Sequence, residues 1–440
     1  VKKVDSIDLL HTFADQDIAA YIRGQSAGSI AVIQGLWTAK RSTITNLEQI
    51  TLIEILSELL ARDCTYVVYH PCDQAGLSQE TLAVVEKQGF INIAPSYGRP
   101  IYAADMRSPV IIFKNMDTII KHPLNKRRAV LNAVEKAHNR LLSMLTQIYP
   151  GELILSYNSN IMYHKIIQLI CRINGIDSVP YKEKSYGKYM AVPFGKVLEG
   201  SAVPNTVTKA LHTEKYFNRS VTSFTIEEKS FYSTLENQIR TIQSFNRPVI
   251  LVDDLLHKGY RMNEIDPILK ANNVNVVDTV VGVQTGRGRD LMTLKERSVD
   301  SAYFLPNLKC WIDESALYPY LGGDSIKDKN IPVSSLEAIP SLNLILPYAV
   351  PSFLGKIPEK HFYDFSMTCL ENARDILKAL EAEYQNLFEQ KLTLKRLGEA
   401  VTNPKDPNLT LNIHADQSAA PSAFVEADIE KLIRMKKMFE

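Results

Sequence analysis

The chain has 440 residues, and at roughly 100–200 residues per domain this length predicts two or three domains. Its 50 lysines and arginines nearly balance its 49 aspartates and glutamates, which argues against a general nucleic-acid binder and against a protein on a membrane surface. No apolar run approaches the ~20 residues of a membrane-spanning helix. With five scattered cysteines and no visible signal peptide, the composition predicts a cytoplasmic protein.

Residues 1–122 have the pattern of a mixed α/β domain, in which helical and strand-like segments alternate. The expected elements are a strand at 29–37, a helix at 46–63, a strand at 65–70, a helix at 77–90 and strands within 101–113. An amphipathic helix at about 126–148 follows, and we assign residues 123–149 as a connecting helix.

Residues 150–345 alternate again between apolar runs and helical segments, which predicts an α/β domain with a parallel sheet covered on both faces. Residues 346–440 are expected to form a helical C-terminal extension. Apolar residues there step by three and four from Leu370 to Leu394, which indicates a packing seam. The seam either docks on its own domain or forms the contact of a homodimer.

The segment PVILVDDLLHKGYRM, residues 248–262, is the most informative one for chemistry. An apolar strand ends in Asp253 and Asp254, and a short loop with Gly259 leads into a helix. Ligands of open α/β sheets bind at the carboxyl ends of strands, and a helix N-terminus attracts phosphate. Paired acids beside it suit two vicinal hydroxyls or a magnesium ion held through water. The segment therefore predicts a sugar-phosphate site.

This segment resembles the phosphoribosyl pyrophosphate (PRPP) motif of the type I phosphoribosyltransferases. The resemblance implies that Asp253 and Asp254 bind the ribose hydroxyls, and Mg²⁺ through water. It implies a loop around the 5′-phosphate formed by His257, Lys258, Gly259, Tyr260 and Arg261. The family usually has Thr or Ser where this chain has Lys258 and Arg261, so two cations replace hydroxyls. Pro267 falls within the expected helix.

The same resemblance places a pyrophosphate loop after the first strand of the domain. That position contains small polar residues, namely Ser156, Asn158, Ser159 and Asn160, for which ordinary helix capping is the alternative.

The resemblance also implies a flexible catalytic loop within 195–217, with Lys209, His212 and Lys215 as candidates and a solvated loop as the alternative. Arg287 and Arg289 would approach the ligand unless QTGRGRD is an exposed turn. Trp311, Tyr318 and Tyr320 are candidate stacking groups of a hood, or core residues.

Residues 29–113 resemble the GNAT acetyltransferases, in which a strand leads to a long helix, a strand, a second helix and a further strand. The family's acetyl-CoA loop should precede the long helix, but TAKRSTITNLEQ contains no glycine there, and RGQSAG at 23–28 precedes a strand instead. We therefore expect a GNAT-like scaffold with an altered cofactor loop. The order of the modules also resembles parts of large bacterial proteins with a cytidylyltransferase-like domain, which would lie upstream of Val1.

Three functional hypotheses follow from these resemblances. The first is an enzyme that binds PRPP or a related ribose phosphate or nucleotide and displaces pyrophosphate at C1 of the ribose, with Mg²⁺. The second is a non-catalytic module that senses a nucleotide. The third is an acyl-CoA-dependent N-acyltransferase that uses acetyl-CoA in the first domain. In each case the partner is a small molecule, with neither nucleic acid nor membrane.

Overall fold

A computed structural model of the chain describes eleven ranges: 2–3, 29–36, 46–71, 78–93, 100–180, 185–198, 200–218, 220–326, 339–351, 357–407 and 418–439. Its strands are β1 (Lys2–Lys3), β2 (Ser29–Ile33), β3 (Cys64–Tyr69), β4 (Ile91–Asn92), β5 (Tyr102–Lys114), β6 (Glu152–Asn158), β7 (Met190–Pro193), β8 (Val207–Thr208), β9 (Thr213–Phe217), β10 (Phe224–Glu228), β11 (Val249–Leu256), β12 (Val276–Thr285), β13 (Val299–Leu305), β14 (Cys310–Asp313), β15 (Asp324–Ile326), β16 (Ile339–Leu342) and β17 (Lys405–Asp406). Its α-helices are α1 (Leu47–Ala61), α2 (Gln79–Lys87), α3 (Met116–Ile119), α4 (Arg128–Ile148), α5 (Ser159–Asn174), α6 (Leu235–Ser244), α7 (Tyr260–Ala271), α8 (Gly286–Leu294), α9 (Phe362–Phe388), α10 (Leu397–Ala400) and α11 (Pro421–Phe439).

The chain has the α/β architecture that its sequence predicts, and the long strand β5 organises the first sheet. Its first half pairs antiparallel with β3 and β4, and its second half pairs parallel with β6 and β14. The register shifts between Asp105 and Val110, where the strand bends. One sheet therefore contains strands from residues 1–122 and from residues 150–345, and the two expected strands within 101–113 are a single strand.

The second sheet is entirely parallel, in the order β13-β12-β11-β7-β8. Helices α1 and α5 lie between the first and second sheets, whose inward side chains form one continuous core. Helices α6 and α7 cover the opposite face of the second sheet with residues such as Ile239 and Ile265. The expectation of a parallel sheet covered on both faces is confirmed for β7, β8, β11, β12 and β13, while β6 belongs to the first sheet.

A third, smaller sheet has the order β10-β9-β15-β16-β17. Strands β9 and β10 form an antiparallel hairpin, and β15 joins β9 in parallel. The two-residue strand β17, from the C-terminal extension, completes this sheet beside β16. A segment at the far end of the chain is therefore part of the same sheet as the β9–β10 hairpin.

The C-terminal extension packs on the outer face of the first sheet. Helix α9 lies against α4 and α11, and its buried seam includes Leu370, Ala373, Leu377, Leu380 and Tyr384. The helix ends at Phe388, where Glu389 adopts a left-handed conformation, so the seam stops before Lys391 and Leu394. In the structure the seam therefore docks on other elements of the same chain.

A chain of buried hydrogen bonds connects β6 to α9 beneath this packing. The Ser156 hydroxyl lies 2.9 Å from Nε2 of His138, and His138 Nδ1 lies 2.8 Å from the Glu314 carboxylate. Tyr318 donates to the other Glu314 oxygen at 3.0 Å, and Asn372 donates to the Tyr318 hydroxyl at 3.2 Å. Because buried polar groups are costly without partners, this network fixes the relative positions of the elements that carry it.

Candidate functional site

The carboxyl end of β11 is the centre of the candidate site. Strand β11 lies between β7 and β12, and its apolar residues from Val249 to Val252 are buried. Asp253 and Asp254 follow within the same strand, and α7 begins only four residues after the strand ends. Gly259, the N-cap of α7, has a φ of 67°, and a Cβ there would lie 2.0 Å from Cδ2 of Leu291. The turn therefore requires glycine on both conformational and steric grounds.

The loop after β7 closes directly onto the two carboxylates. The backbone N–H groups of Lys196 and Val197 donate to the two Asp254 oxygens at 2.5 and 2.8 Å. A Cβ on Gly195 would lie 2.6 Å from Oδ1 of Asp254 and 2.7 Å from Oδ1 of Asp253. Only glycine allows this close approach, so the loop and the acids form one unit.

Asp253 is 6% exposed and is paired with the first turn of α7. Nη1 of Arg261 donates to its Oδ1 at 2.5 Å, and the N–H of Asp254 donates to the same atom at 2.9 Å. Burial raises the pKa of Asp253 to about 6, against the opposing effect of Arg261. Burial likewise raises the pKa of Asp254 above its usual range. The two carboxylates therefore hold their charge less readily than exposed acids.

A second cation connects this site to the first sheet. Nζ of Lys196 donates to Oδ2 of Asp313, at the end of β14, at 2.8 Å. Asn115 and Ser315 donate to the other oxygen of Asp313, the latter at 3.0 Å. Burial alone would raise the pKa of Asp313, but Lys196 and these donors hold it below its usual range. The carboxyl ends of β5, β11 and β14 are thereby joined by direct polar contacts.

The third sheet supplies a further charged group beside these acids. Nζ of Lys405 in β17 donates to the Ser325 hydroxyl at 2.5 Å, and Ser325 donates to Glu214 at 3.0 Å. Nζ of Lys405 lies 4.0 Å from Glu214 itself. Burial lowers the pKa of Lys405, whereas lysines around Glu214 hold the pKa of that carboxyl below its usual range despite its burial. The C-terminal extension therefore contributes a buried cation close to the site.

The predicted phosphate loop lies at the start of α7. Lys258 and Tyr260 are exposed there, and Nδ1 of His257 lies 3.1 Å from the Thr285 hydroxyl. The pKa of His257 is lowered by burial and by the positive charges of Lys258 and Arg287. Of the predicted phosphate ligands, Arg261 is already paired with Asp253. The groups that the loop offers to a phosphate are therefore the ammonium group of Lys258 and the backbone N–H groups at the start of α7.

Arg287 and Arg289 are in the first turn of helix α8, because β12 ends at Thr285 and α8 begins at Gly286. The segment QTGRGRD is therefore the end of a strand and the start of a helix, and the side chains of Arg287 and Arg289 are exposed, as the alternative expects. Arg287 lies close enough to His257 to influence its charge, whereas Arg289 lies over the Phe304 ring, 4.6 Å from its centroid.

The predicted pyrophosphate loop does not follow a strand of the second sheet, because β6 pairs with β5 in the first sheet. Ser156 is bonded to His138, and the Asn158 side chain accepts from the N–H groups of Asn160 and Ile161 as an ordinary helix cap. Ser159 is buried, and Asn160 donates to Asp117 at 2.5 Å. The prediction that these residues follow a strand of the parallel sheet is therefore wrong. Met162, in the first turn of α5, lies beside the backbone of β11 and β12, since a Cβ on Gly282 would lie 2.3 Å from its Sδ and 2.7 Å from the Asp254 carbonyl oxygen.

The other candidates within 195–217 lie in ordered structure that includes strands β8 and β9, not in a flexible loop. Lys209 is exposed, His212 stacks on Tyr232 with ring centroids 3.7 Å apart, and Lys215 pairs with Asp324 at 3.0 Å.

The three candidate hood residues differ in how far they are buried. Tyr318 and Tyr320 are completely buried, which identifies them as core residues, while Trp311 is 39% exposed.

Six residues that build the site are not among the predicted site residues, namely Asn115, Gly195, Lys196, Glu214, Asp313 and Lys405. Gly195 has a local signal, because a glycine two residues after a strand of an α/β sheet is typical of close ligand or backbone approach. The others are brought in by pairing between distant strands. RGQSAG and TAKRS, which bear on the acetyl-CoA alternative, lie outside the described residues.

The carboxylates of Asp253 and Asp254 suit a magnesium ion that keeps its water shell, and not one that is coordinated entirely by protein ligands. In the described ranges, no three His, Cys, Asp or Glu side chains are grouped as metal ligands. Both Asp254 oxygens accept amide hydrogens, and Asp253 is paired with Arg261, so these carboxylates suit contact through water with an ion that brings a diphosphate.

Comparisons with known proteins give no relative from which a role for this site could be inferred. No protein-family model matches the chain, and the curated proteins contain no significant match to it. Every helix among the described residues is too short or too polar to cross a membrane.

Gly195→Ala tests the closure of the loop onto the acids. A Cβ would displace either the loop or the carboxylates, so we expect the free energy of unfolding to fall by roughly 1–3 kcal/mol. Gly398→Ala is the matched control, because the nearest atom to its Cβ position lies 3.8 Å away. Urea unfolding of both variants measures the effect, and equal stability of the two would refute the steric role of Gly195.

Asp253→Asn tests the burial of the acid pair through pH dependence. Since the folded-state pKa of Asp253 is raised to about 6, its ionisation costs stability as pH rises from about 4 to about 6. The stability of the variant relative to the original chain should therefore increase across that window, by on the order of 2–3 kcal/mol, and level off above it. Denaturant unfolding at several pH values checks this, with the exposed Asp364→Asn as a control. A pH-independent difference for Asp253→Asn would contradict the assigned pKa shift.

Proposed function

We propose that the protein binds a ribose phosphate, with PRPP as the first ligand to test, at Asp253, Asp254 and the loop 257–261. The observation that carries this proposal is the adjacent carboxylates of the buried Asp253 and the partly buried Asp254 on a central parallel strand, with four residues between them and the left-handed glycine that caps the next helix. Carboxylates accept hydrogen bonds from vicinal hydroxyls, and the helix start offers N–H groups to a phosphate. The two groups of a ribose phosphate thus meet complementary partners.

The charges around the acids favour an anionic, polyhydroxylated ligand. Lys258 is exposed at the helix start, and Arg287 lies near His257, so the phosphate side of the site is positive. Arg261 and Lys196 lie on the acid side, where they neutralise Asp253 and Asp313. This separation of exposed cations from paired acids would orient a sugar phosphate in one direction across the site.

The proposed reaction is displacement at C1 of the ribose. A nitrogen nucleophile forms a bond to C1, the C1–O bond to the diphosphate breaks, the electron pair leaves with diphosphate, and the nitrogen releases its proton to solvent. Magnesium on the diphosphate would supply charge neutralisation of the leaving group. The chain itself would contribute positioning of the ribose by Asp253 and Asp254.

Binding without turnover is a second candidate function, and one observation favours it. Both acids already have protein partners, and two of the predicted catalytic groups are engaged elsewhere, His212 on Tyr232 and Lys215 on Asp324. A site in this state can hold a nucleotide as a signal. The release of pyrophosphate discriminates between the two functions.

Calorimetric titration with PRPP, with and without Mg²⁺, tests the proposed site. Asp253→Asn combined with Asp254→Asn should weaken binding by at least about a hundredfold, because two charged hydrogen-bond acceptors are lost. The matched control combines Asp63→Asn with Asp364→Asn, two exposed positions outside the site, and should bind as the original chain does.

The results of this titration and of a pyrophosphate-release assay distinguish the transferase from the sensing module. Binding that the double variant loses, with pyrophosphate release on addition of an acceptor, supports the transferase. Binding that the double variant loses, with no release across an acceptor screen, supports the sensing module. No binding at millimolar PRPP would reject PRPP as the ligand of this loop.

A further inference from the structure

A cavity of about 500 Å³ lies between the β9–β10 hairpin and the first turns of α7. Its volume is within the range of small-molecule sites. Hairpin residues and two α7 residues form its lining, which consists of Phe217, Thr222, Ser223, Phe224, Thr225, Ile226, Glu227, Tyr260 and Glu264. The cavity adjoins the proposed ribose phosphate site, because Tyr260 is the residue next to Arg261, which bonds Asp253.

The walls of this cavity are aromatic and suited to a flat ring. Phe224 packs edge-on against Tyr260 with centroids 5.1 Å apart and planes at 87°, and against Phe217 at 5.6 Å and 65°. Tyr260 is 50% exposed, so part of its ring is accessible to a ligand. Because the rings of Phe224 and Tyr260 are perpendicular, a planar ligand that stacks on one of them meets the other edge-on.

The polar lining is acidic. Glu264 lies one helical turn after Tyr260, so its carboxylate and the tyrosine ring share a face of α7. Glu227 is the second acid, and the Thr225 hydroxyl donates to it at 2.7 Å. No Lys, Arg or His is among the described lining residues. The nearby Lys215 lies over the Phe217 ring and, at 5.7 Å from its centroid, over the Phe224 ring, but its charge is paired with Asp324. Ionised carboxylates only accept hydrogen bonds, so the lining favours a ligand that donates them.

We propose that this cavity binds a planar heteroaromatic ring that carries an amino group, with the ring against Phe224 and Tyr260 and the amino N–H groups directed to Glu264. A ring bearing a carboxylate would be repelled by Glu264 and Glu227, so the two acids select amino-bearing rings over carboxylate-bearing ones. The role of this ring as the nitrogen acceptor for C1 rests on the proposed function. The preference for an amino-bearing ring rests only on the cavity.

Adenine and unsubstituted purine are matched probes, because the two bicyclic rings differ only by the exocyclic amino group. In calorimetric titrations we expect adenine to bind at least about tenfold more tightly than purine, since a charge-assisted hydrogen bond is lost with the latter. Glu264→Gln should bring the two affinities close together, and Phe224→Leu should weaken both. Glu58→Gln, at an exposed position paired with Arg62, is the control and should change neither. Nicotinate, a ring with a carboxylate, should bind more weakly than adenine.

Failure of this inference is distinguishable from failure of the proposed function. Adenine should bind equally to the chain that carries Asp253→Asn with Asp254→Asn, whose PRPP binding is lost. Equal affinities for adenine and purine, a ratio unchanged by Glu264→Gln, or no adenine binding at millimolar concentration would each overturn the assignment of the cavity. Adenine binding in a protein that does not bind PRPP would retain the ligand class and remove its role as acceptor.

Discussion

The burial of two adjacent carboxylates at the end of β11 is the constraint on which the rest of the site depends. A carboxylate removed from water costs free energy unless hydrogen-bond donors replace the solvent. Arg261 supplies donors to Asp253, and the amides of Lys196 and Val197 supply them to Asp254. These contacts bring the start of α7 and the loop after β7 to the same point, and Gly195 makes the approach sterically possible.

From this pair, polar contacts extend into parts of the chain that are far apart in sequence. Lys196 reaches Asp313 and, through it, the ends of β14 and β5. The third sheet adds Glu214 from β9 and Lys405 from the C-terminal extension. A ligand that replaces or recruits one of these partners will therefore change the electrostatics of neighbouring charges, because buried charges are weakly screened. The extension belongs to the site as well as to the scaffold.

Local patterns predicted the elements whose signals are contained within one segment. The apolar run before Asp253, the helix after Gly259 and the amphipathic helices α4 and α9 follow from spacing and turn chemistry. The parallel sheet around β11 follows from continuous apolar strands. The partner of β6 did not follow, because an apolar strand of seven residues fits either sheet equally well, and pairing with β5 is decided by long-range packing. Asp313 and Lys405 were missed for the same reason, since distant strands bring them to the acids.

Hydrogen exchange of the backbone amides, with and without PRPP and Mg²⁺, tests most directly whether the loop before α7 is a phosphate site. Amides that bind a phosphate exchange more slowly because they acquire a hydrogen-bond acceptor. The account predicts slower exchange for residues 257–262 when the ligand is added, and no such change in the chain that carries Asp253→Asn with Asp254→Asn. Unchanged exchange in that loop at saturating ligand, or protection confined to the first sheet, would contradict it.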